Sequence, residues 1–371
     1  MNILLAPNSM KGSLNAFDFA DSVERGLSRA SADFCITKCP VADGGDFSAP
    51  VLAKSLGASE ISVIVRGPIG KPVHSRFFMT PDHVALIEMA DASGLRLISP
   101  EERNPLKAGS YGLGELILAA CSHHAKRILL GVGGSATVDG GMGMMQALGM
   151  RFYDEGNHLL EGNGANLIRI DHVEWSRPKD LSAIEINVLC DVSNPLIGPS
   201  GAAAVFGPQK GASPSDVEFL ESGLLHWSKI ISSTSECPFQ NKPFTGAAGG
   251  VSAALNAFLN ANLVSGADYI LDTINFNSYL SRTDLVITGE GLLDAQTSNL
   301  KAPFVVASRA RVFGKRIIAL AGGIKDGEHS VYDAVFSISP GPVSLEFSLQ
   351  NAEILTEELS FNLGKLIRTF I

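Results

Sequence analysis

The sequence predicts an α/β protein built on parallel sheets, and three observations carry that expectation. Short runs rich in Val, Ile and Leu alternate with segments of helical period along nearly the whole chain. Glycines number 38 among 371 residues, above the usual ~7%, and they gather at the ends of those runs. One stretch breaks the rhythm: "VHSRFFM" and "HVALIEMA" flank the turn-rich "TPD", which reads as an antiparallel hairpin and marks a change of organisation near Gly67.

In order, "NILLA" is a first strand. A helix follows with Ala16, Ala20, Val23 and Leu27 on one face, then the strand "FCITKCP", a helix near 46–57 and the strand "EISVIVRG". Strand, helix, strand at this spacing is how parallel strands are joined. Beyond the hairpin come a helix near 112–122, the strand "RILLGV", a glycine loop, a helix ending near Leu148 and the strand "EINVLC". Helices are expected near 214–230 and 247–260. Simple alternation returns at Asp284 with "DLVITGEG", a helix near 303–312, "RIIALAGG" and a last helix, "NAEILTEELSFNLGKLIRTFI".

A net charge of -9 repels nucleic-acid backbones and anionic membranes, so the expected partner is a small molecule. Five scattered cysteines without a C-x-x-C pair suit a reducing compartment, and a cytoplasmic protein is expected. The start, "MNILLAPNSMKGS", has no basic region before its apolar stretch, and no apolar run of about 18 residues argues for a membrane span. The eight histidines make no metal spacing.

Ligands of open α/β sheets bind beyond the carboxyl ends of strands, and five loops there are polar and glycine-rich. "APNSMKGS" sets Lys11 beside Ser9, Gly12 and Ser13 ahead of a helix, an arrangement for an anion, although a capped helix start with a solvated lysine explains the same letters. "CPVADGGDFS" offers Asp43 and Asp46 to a metal or a hydroxyl, or simply makes a turn. "GVGGSATVDGGMG" has six glycines in thirteen positions, for a tight backbone path or a close ligand. "CDVSNPLIGPSGAAAVFGPQKGAS" puts Asp191 at a strand end, then Asn194 and Lys210. "DLVITGEGLLDAQTSNLKAP" sets Glu290 and Asp294 four apart, with Gln296, Thr297 and Lys301 behind, oxygen ligands and a cation suited to Mg²⁺ and phosphate or to ordinary helix capping.

Two chemistries compete for the glycine loop. Gly131, Gly133 and Ala136 satisfy G-x-G-x-x-A after a strand, with Asp154 23 residues on, the outline of a dinucleotide fingerprint. "TVDGGMG" postpones the helix that should receive a pyrophosphate, however, since its glycines are poor helix formers. Several anion-binding loops with lysines and carboxylates favour phosphoryl transfer, and without G-x-x-x-x-G-K-[ST] it is not of the P-loop kind.

Together and in this order the five loops resemble the bacterial glycerate kinase family of the non-P-loop type. Its patterns "APDSFKGS", "ADGGEGT", "GIGGSATNDGGAGM", "CDVTNPLxGPxGA" with "FGPQKGA", and "ITGEGRxDxQTxxGK" are matched by "APNSMKGS", "ADGGDFS", "GVGGSATVDGGMGM", "CDVSNPLIGPSGA" with "FGPQKGA", and "ITGEGLLDAQTSNLK". "IEMADASGL", "RNPLKAGSYGLGELI" and "GAAGGVSAAL" agree as well. The resemblance implies two three-layer α/β domains, one discontinuous and built from both chain ends (1–66 and 284–371, Rossmann-like), the other inserted (67–283), with the active site in the cleft. It implies phosphorylation of D-glycerate with ATP and Mg²⁺, usually to 2-phosphoglycerate, with 3-phosphoglycerate the other product to consider.

On this reading the glycerate hydroxyl attacks the γ-phosphorus and Asp191 orients it or takes its proton. Lys11 and Lys210 serve phosphate or carboxylate, and Glu290 with Asp294 serves Mg²⁺. Gly133, Gly134, Ser135 and Thr137 offer donors to an anion, with Asp139 beside them, while Ser9, Asp43, Asn194, Gln296 and Lys301 complete the expected substrate contacts. The chain departs from the pattern at Asn8, Asp46-Phe47-Ser48, Leu292 and Leu300. An NAD-dependent hydroxyacid dehydrogenase is the alternative enzyme, and a non-catalytic small-molecule sensor of the same fold is the reading that Leu292 and Leu300 favour. A chain this apolar and glycine-rich is also a candidate homodimer.

Overall fold

The computed structural model describes residues 1–235, 239–294, 300–325 and 329–370. The chain divides into two compact units, Met1–Asp43 with Ala267–Ile371, and Gly44–Gly266.

The first unit holds a five-stranded sheet in the order Ala334–Ser337, Arg316–Ile324, Leu285–Leu293, Asn2–Pro7, Cys35–Lys38. All four pairings are parallel. Its central strands are apolar on both faces because both are covered. Leu4, Ala6, Val286 and Ala319 join a cluster with Val306 and Ala310 of the helix Ala302–Val312. Ile3, Leu5, Leu285 and Ile287 point the other way, into Phe19, Val23 and Leu27 of the helix Ala16–Ala30 and Leu363 of the helix Ala352–Arg368. The period-two alternation of one strand thus sorts residues between two layers of helix. Asn15 caps Ala16–Ala30 by accepting from the Phe17 and Asp18 amides, and Ala16, Ala20, Val23 and Leu27 are buried as the spacing predicts. Gly26 lets this helix approach Glu357 and Ser360 too closely for any side chain, and Arg25 and Arg29 pair with Glu353, Glu357 and Glu358 along the contact.

The second unit has a six-stranded mixed sheet in the order Asn262–Ser265, Glu185–Cys190, Arg127–Gly131, Val84–Glu88, Pro72–Met79, Ser59–Arg66. The first four strands are parallel, and the last two add antiparallel. The expected hairpin is Pro72–Met79 with Val84–Glu88, closed where the His83 amide donates to the Thr80 carbonyl at 3.0 Å. One face packs on Leu113, Leu116 and Ile117 of the helix Tyr111–Ser122, with Trp227 and Val251 in the same core.

The boundaries lie at 43/44 and 266/267 rather than at the expected 66 and 284. Ser59–Arg66 reads as one more parallel crossover strand, but it pairs antiparallel with Pro72–Met79 along its whole length. The helix Ser48–Leu56 packs on Pro72–Met79 and Val84–Glu88. Residues 44–66 therefore share the core of the second unit. At the other end the helices Gly266–Thr273 and Phe276–Leu280 give Leu271 and Phe276 to the core of the first.

Candidate functional site

In each unit the polar loops lie at the carboxyl ends of parallel strands, where the sheet twist and helix entries leave room for ligands. In the first unit three strand ends converge. The Asn8 amide nitrogen of the backbone donates to Gly289 O at 2.8 Å, tying the loop after Asn2–Pro7 to the strand Leu285–Leu293. The Asn8 side chain donates to Asp43 Oδ2 at 3.1 Å, and Lys301 Nζ lies 3.6 Å from that same oxygen. Glu290 sits among these groups. Burial pushes its carboxyl up to about 8, Asp43 and Asp294 push the same way, and Lys301 opposes them. Glu290 Oε1 is buried with no hydrogen-bond partner among the described residues. Asp294 lies 3.8 Å from Lys325 Nζ, Ser9 is half-buried and donates its backbone amide to Asn8 Oδ1 at 2.8 Å, and Lys11 is exposed. Gln296 and Thr297 fall outside the described residues.

In the second unit the glycine loop is held from both sides by buried ions of opposite sign. Lys210, 2% exposed, donates from Nζ to Ser135 Oγ at 2.8 Å and to the Thr137 carbonyl at 2.7 Å. Burial lowers its ammonium to about 7, with Asp139 pulling the other way. Asp139 is fully buried. Its Oδ2 accepts from the Ser110 amide, the Ser110 hydroxyl and the Gly143 amide, and its Oδ1 from the Gly141 amide, at 2.7 to 3.1 Å. Desolvation raises its carboxyl despite these four donors.

This geometry corrects several expectations. Lys210, Ser135, Thr137 and Asp139, expected among the substrate and phosphate contacts, are buried and spend their polar atoms on one another, on Ser110 and on the loop backbone, apart from the Thr137 hydroxyl, which has no partner among the described residues. The glycines are also consumed by packing. A Cβ on Gly134, where φ is +68°, would collide with Asp46 Oδ1, and one on Gly133 would overlap Gly45. Gly133 and Gly134 stay half-exposed. The dinucleotide outline fails for the reason foreseen: the next helix, Met142–Ala147, begins only after Gly141 in a left-handed turn. Asp154, the acidic residue of that outline, accepts from the Gly156 and His158 amides and pairs with Arg169 at 3.0 Å.

Asp191 is half-buried at the end of Glu185–Cys190. Asn194 donates from its side chain to Ser200 O at 2.7 Å, which shapes the loop that follows. The sequence reading passed over a group at the end of Val84–Glu88. Glu88, 3% exposed, accepts from the Ala49 amide at 2.9 Å and so caps the helix Ser48–Leu56, for which Phe47 supplies no side-chain cap. Burial raises the Glu88 carboxyl. Arg96 bonds Asp91 through Nη2 and lies 4.0 Å from Glu88. An acid ending the apolar run "VALIE" was the available signal, because a buried carboxylate requires partners. Among the described residues no group of three or more His, Cys, Asp or Glu is arranged to hold a metal, and no helix is long and apolar enough to cross a membrane.

Carboxylates beside lysines at the carboxyl ends of parallel strands are groups that a phosphotransferase of the α/β type would use. The profile of the glycerate kinase family matches residues 3–368. A glycerate kinase of Bacillus subtilis is 39% identical over 374 residues, covering 99% of this chain and 98% of the relative. The glycerate 2-kinase of Escherichia coli is 38% identical over 362 residues, covering 95% and 94%. A crystal structure of a putative glycerate kinase 2 from Salmonella typhimurium superposes with a TM-score of 0.85 at 38% identity, covering all of this chain and 98% of the other. The chain belongs to the glycerate kinase family and is an enzyme, a kinase that acts on a small-molecule alcohol. Neither the dehydrogenase nor the sensor reading finds support among these relatives.

Proposed function

We propose that the protein transfers the γ-phosphoryl group of ATP to the 2-hydroxyl of D-glycerate, giving 2-phosphoglycerate. The observation that carries this reading is the Asp43–Glu290–Asp294 group with Lys301 in the first unit. Glu290 keeps a buried oxygen without a partner among the described residues, and Asp43 and Asp294 raise its carboxyl against the pull of Lys301, so a further cation at this point would relieve the remaining repulsion. That donor set is oxygen only, which suits Mg²⁺, an ion that takes one or two protein carboxylates and completes its shell with water and phosphate. Glu290 and Asp294 would hold it, and it would supply neutralisation of charge on the transferring phosphate.

The chain's own residues do the rest. Phosphoryl transfer asks mainly for alignment and charge balance. Lys11, exposed beside Gly12, contributes a positive charge to the phosphates. Asp191 accepts the proton of the attacking hydroxyl as the O–P bond forms and ADP leaves. Ser9, Asn194 and Lys301 orient substrate oxygens, as do the amides of Gly133 and Gly134. The reduced, cytoplasmic setting inferred from the cysteines fits a metabolic kinase, and the name of the Escherichia coli relative supports the 2-phosphate product.

The test measures ADP release with D-glycerate, L-glycerate and no acceptor, with enolase added alone to detect 2-phosphoglycerate directly. D-glycerate-dependent ADP release with an immediate enolase signal is expected. A signal that needs added phosphoglycerate mutase would assign the 3-phosphate instead.

A further inference from the structure

Phe47 is a bulky residue in a backbone conformation that bulky residues avoid. Its φ is +69° and ψ 17°, left-handed geometry in which a Cβ crowds the following carbonyl oxygen. The related pattern "ADGGEGT" has glycine at this place, which meets the same backbone without cost. The turn is fixed by its neighbours. Ser48 Oγ accepts from the Gly44 amide at 3.0 Å and donates to the Gly45 carbonyl at 2.8 Å, while Glu88 holds the Ala49 amide. The ring is 38% exposed, and the Arg96 guanidinium lies over it, 5.5 Å from its centroid.

Arg96 is held on one side only. Nη2 is engaged by Asp91, which also lies 3.7 Å from Arg76. Nε and Nη1 have no acceptor among the described residues, and the side chain is 37% exposed. It stands next to the glycine loop: the adjacent Leu95 amide donates to Gly134 O at 2.9 Å. Lys210, the cation expected to receive an anion in this unit, is sealed inside. We propose that Arg96 is the anchor for the carboxylate of the acceptor and that Phe47, strained beneath it, fixes the guanidinium and walls the subsite against bulkier acids. The chemistry is that of a planar guanidinium with open donors meeting a small hydroxy acid, a pairing for which lysine is a poor substitute.

The proposal rests on the glycerate kinase reading, so wild-type activity is measured first. If wild-type protein released no ADP with D-glycerate, that reading would fall, whatever Arg96 does. With activity in hand, Arg96→Gln is compared with wild type on D-glycerate and on glyceramide, which keeps both hydroxyls and lacks the charge. Loss of a charge-assisted contact is expected to raise KM for D-glycerate about 10- to 100-fold, leave KM for ATP within about twofold, and collapse the preference for glycerate over glyceramide. An unchanged preference would overturn the anchor. Phe47→Gly relieves the backbone and should fold at least as stably; it is expected to admit an acid with one added carbon more readily relative to D-glycerate, and an unchanged ratio would overturn the wall. Circular dichroism and thermal melting accompany each variant, and if Arg96→Gln does not fold, Arg96→Met, equally uncharged, gives the same preference readout.

Discussion

Lys210 Nζ donates to Ser135 Oγ at 2.8 Å from a site that is 2% exposed. A cation expected to meet substrate therefore holds the loop that carries Gly133 and Gly134. This has a consequence for stability against pH. The unfolded chain keeps the proton on a lysine to about 10.4, whereas burial lets the folded protein release it near about 7. Between those values the unfolded state binds more protons, so unfolding free energy rises with pH, by at most about 1.4 kcal/mol per pH unit for one group. Lys210→Met cannot titrate. Urea unfolding at pH 6.5, 7.5 and 8.5 is expected to show wild type gaining on the variant as pH rises, and parallel curves would mean that the ammonium keeps its usual affinity for the proton.

Asp139 braces the other half of the same loop. Its oxygens satisfy three backbone amides and the Ser110 hydroxyl, all buried. Asp139→Ala strands those donors and leaves a gap, for an expected destabilisation of about 2–4 kcal/mol. Because the carboxylate touches no solvent, KM values of whatever protein remains folded should move little. Denaturation and kinetics on the same preparation separate the two effects: a large KM change without loss of stability would return Asp139 to the substrate.

What could be read from the chain, and what could not, follows from this pair. Periodicity located the strands and helices, since Ala16, Ala20, Val23 and Leu27 could share one buried face only in a helix. Glycine density located the loops but could not say what fills the space left by the missing side chains. At Gly133 and Gly134 the answer is the turn at Gly45 and Asp46, 88 residues away in sequence and invisible to any local pattern. The strand Ser59–Arg66 was recognised as a strand and misplaced, because alternation of apolar residues does not encode the direction of pairing. Glu88 was passed over because "HVALIEMA" reads as a plain strand, and Arg96 because it belongs to no spacing motif; the role of Glu88 depends on the helix that it caps. The carboxylates Asp43 and Glu290 were legible as chemistry. Their grouping depended on strand order, which puts Asn2–Pro7 between Cys35–Lys38 and Leu285–Leu293.

Glu290 titrates in the opposite sense from Lys210. Its folded carboxyl is raised to about 8 by burial and by Asp43, so the folded protein holds a proton that the unfolded chain loses near about 4.3. The stability this gives is complete below that value and is lost as pH rises through about 8. Glu290→Gln stays neutral throughout. The variant is expected to gain on wild type by more than about 1 kcal/mol between pH 5 and 7 in unfolding experiments without metal, while kcat falls. Added Mg²⁺ with nucleotide should narrow the stability difference in wild type's favour; no change on adding both would argue that this carboxylate does not serve the ion.

Asp191 closes the strand Glu185–Cys190, half-buried where the loop to Asn194 begins. If it accepts the proton of the attacking hydroxyl, Asp191→Asn keeps the size and much of the hydrogen bonding and loses the basicity. A positioned base contributes about 10²- to 10⁴-fold, so kcat is expected to fall by that factor. KM for glycerate should change by less than about threefold, since uniform binding is retained. Turnover near the wild-type level in a folded Asp191→Asn protein would move the proton acceptor to another residue, with Asp43 the first to test, as it already lies beside Lys301 and Asn8.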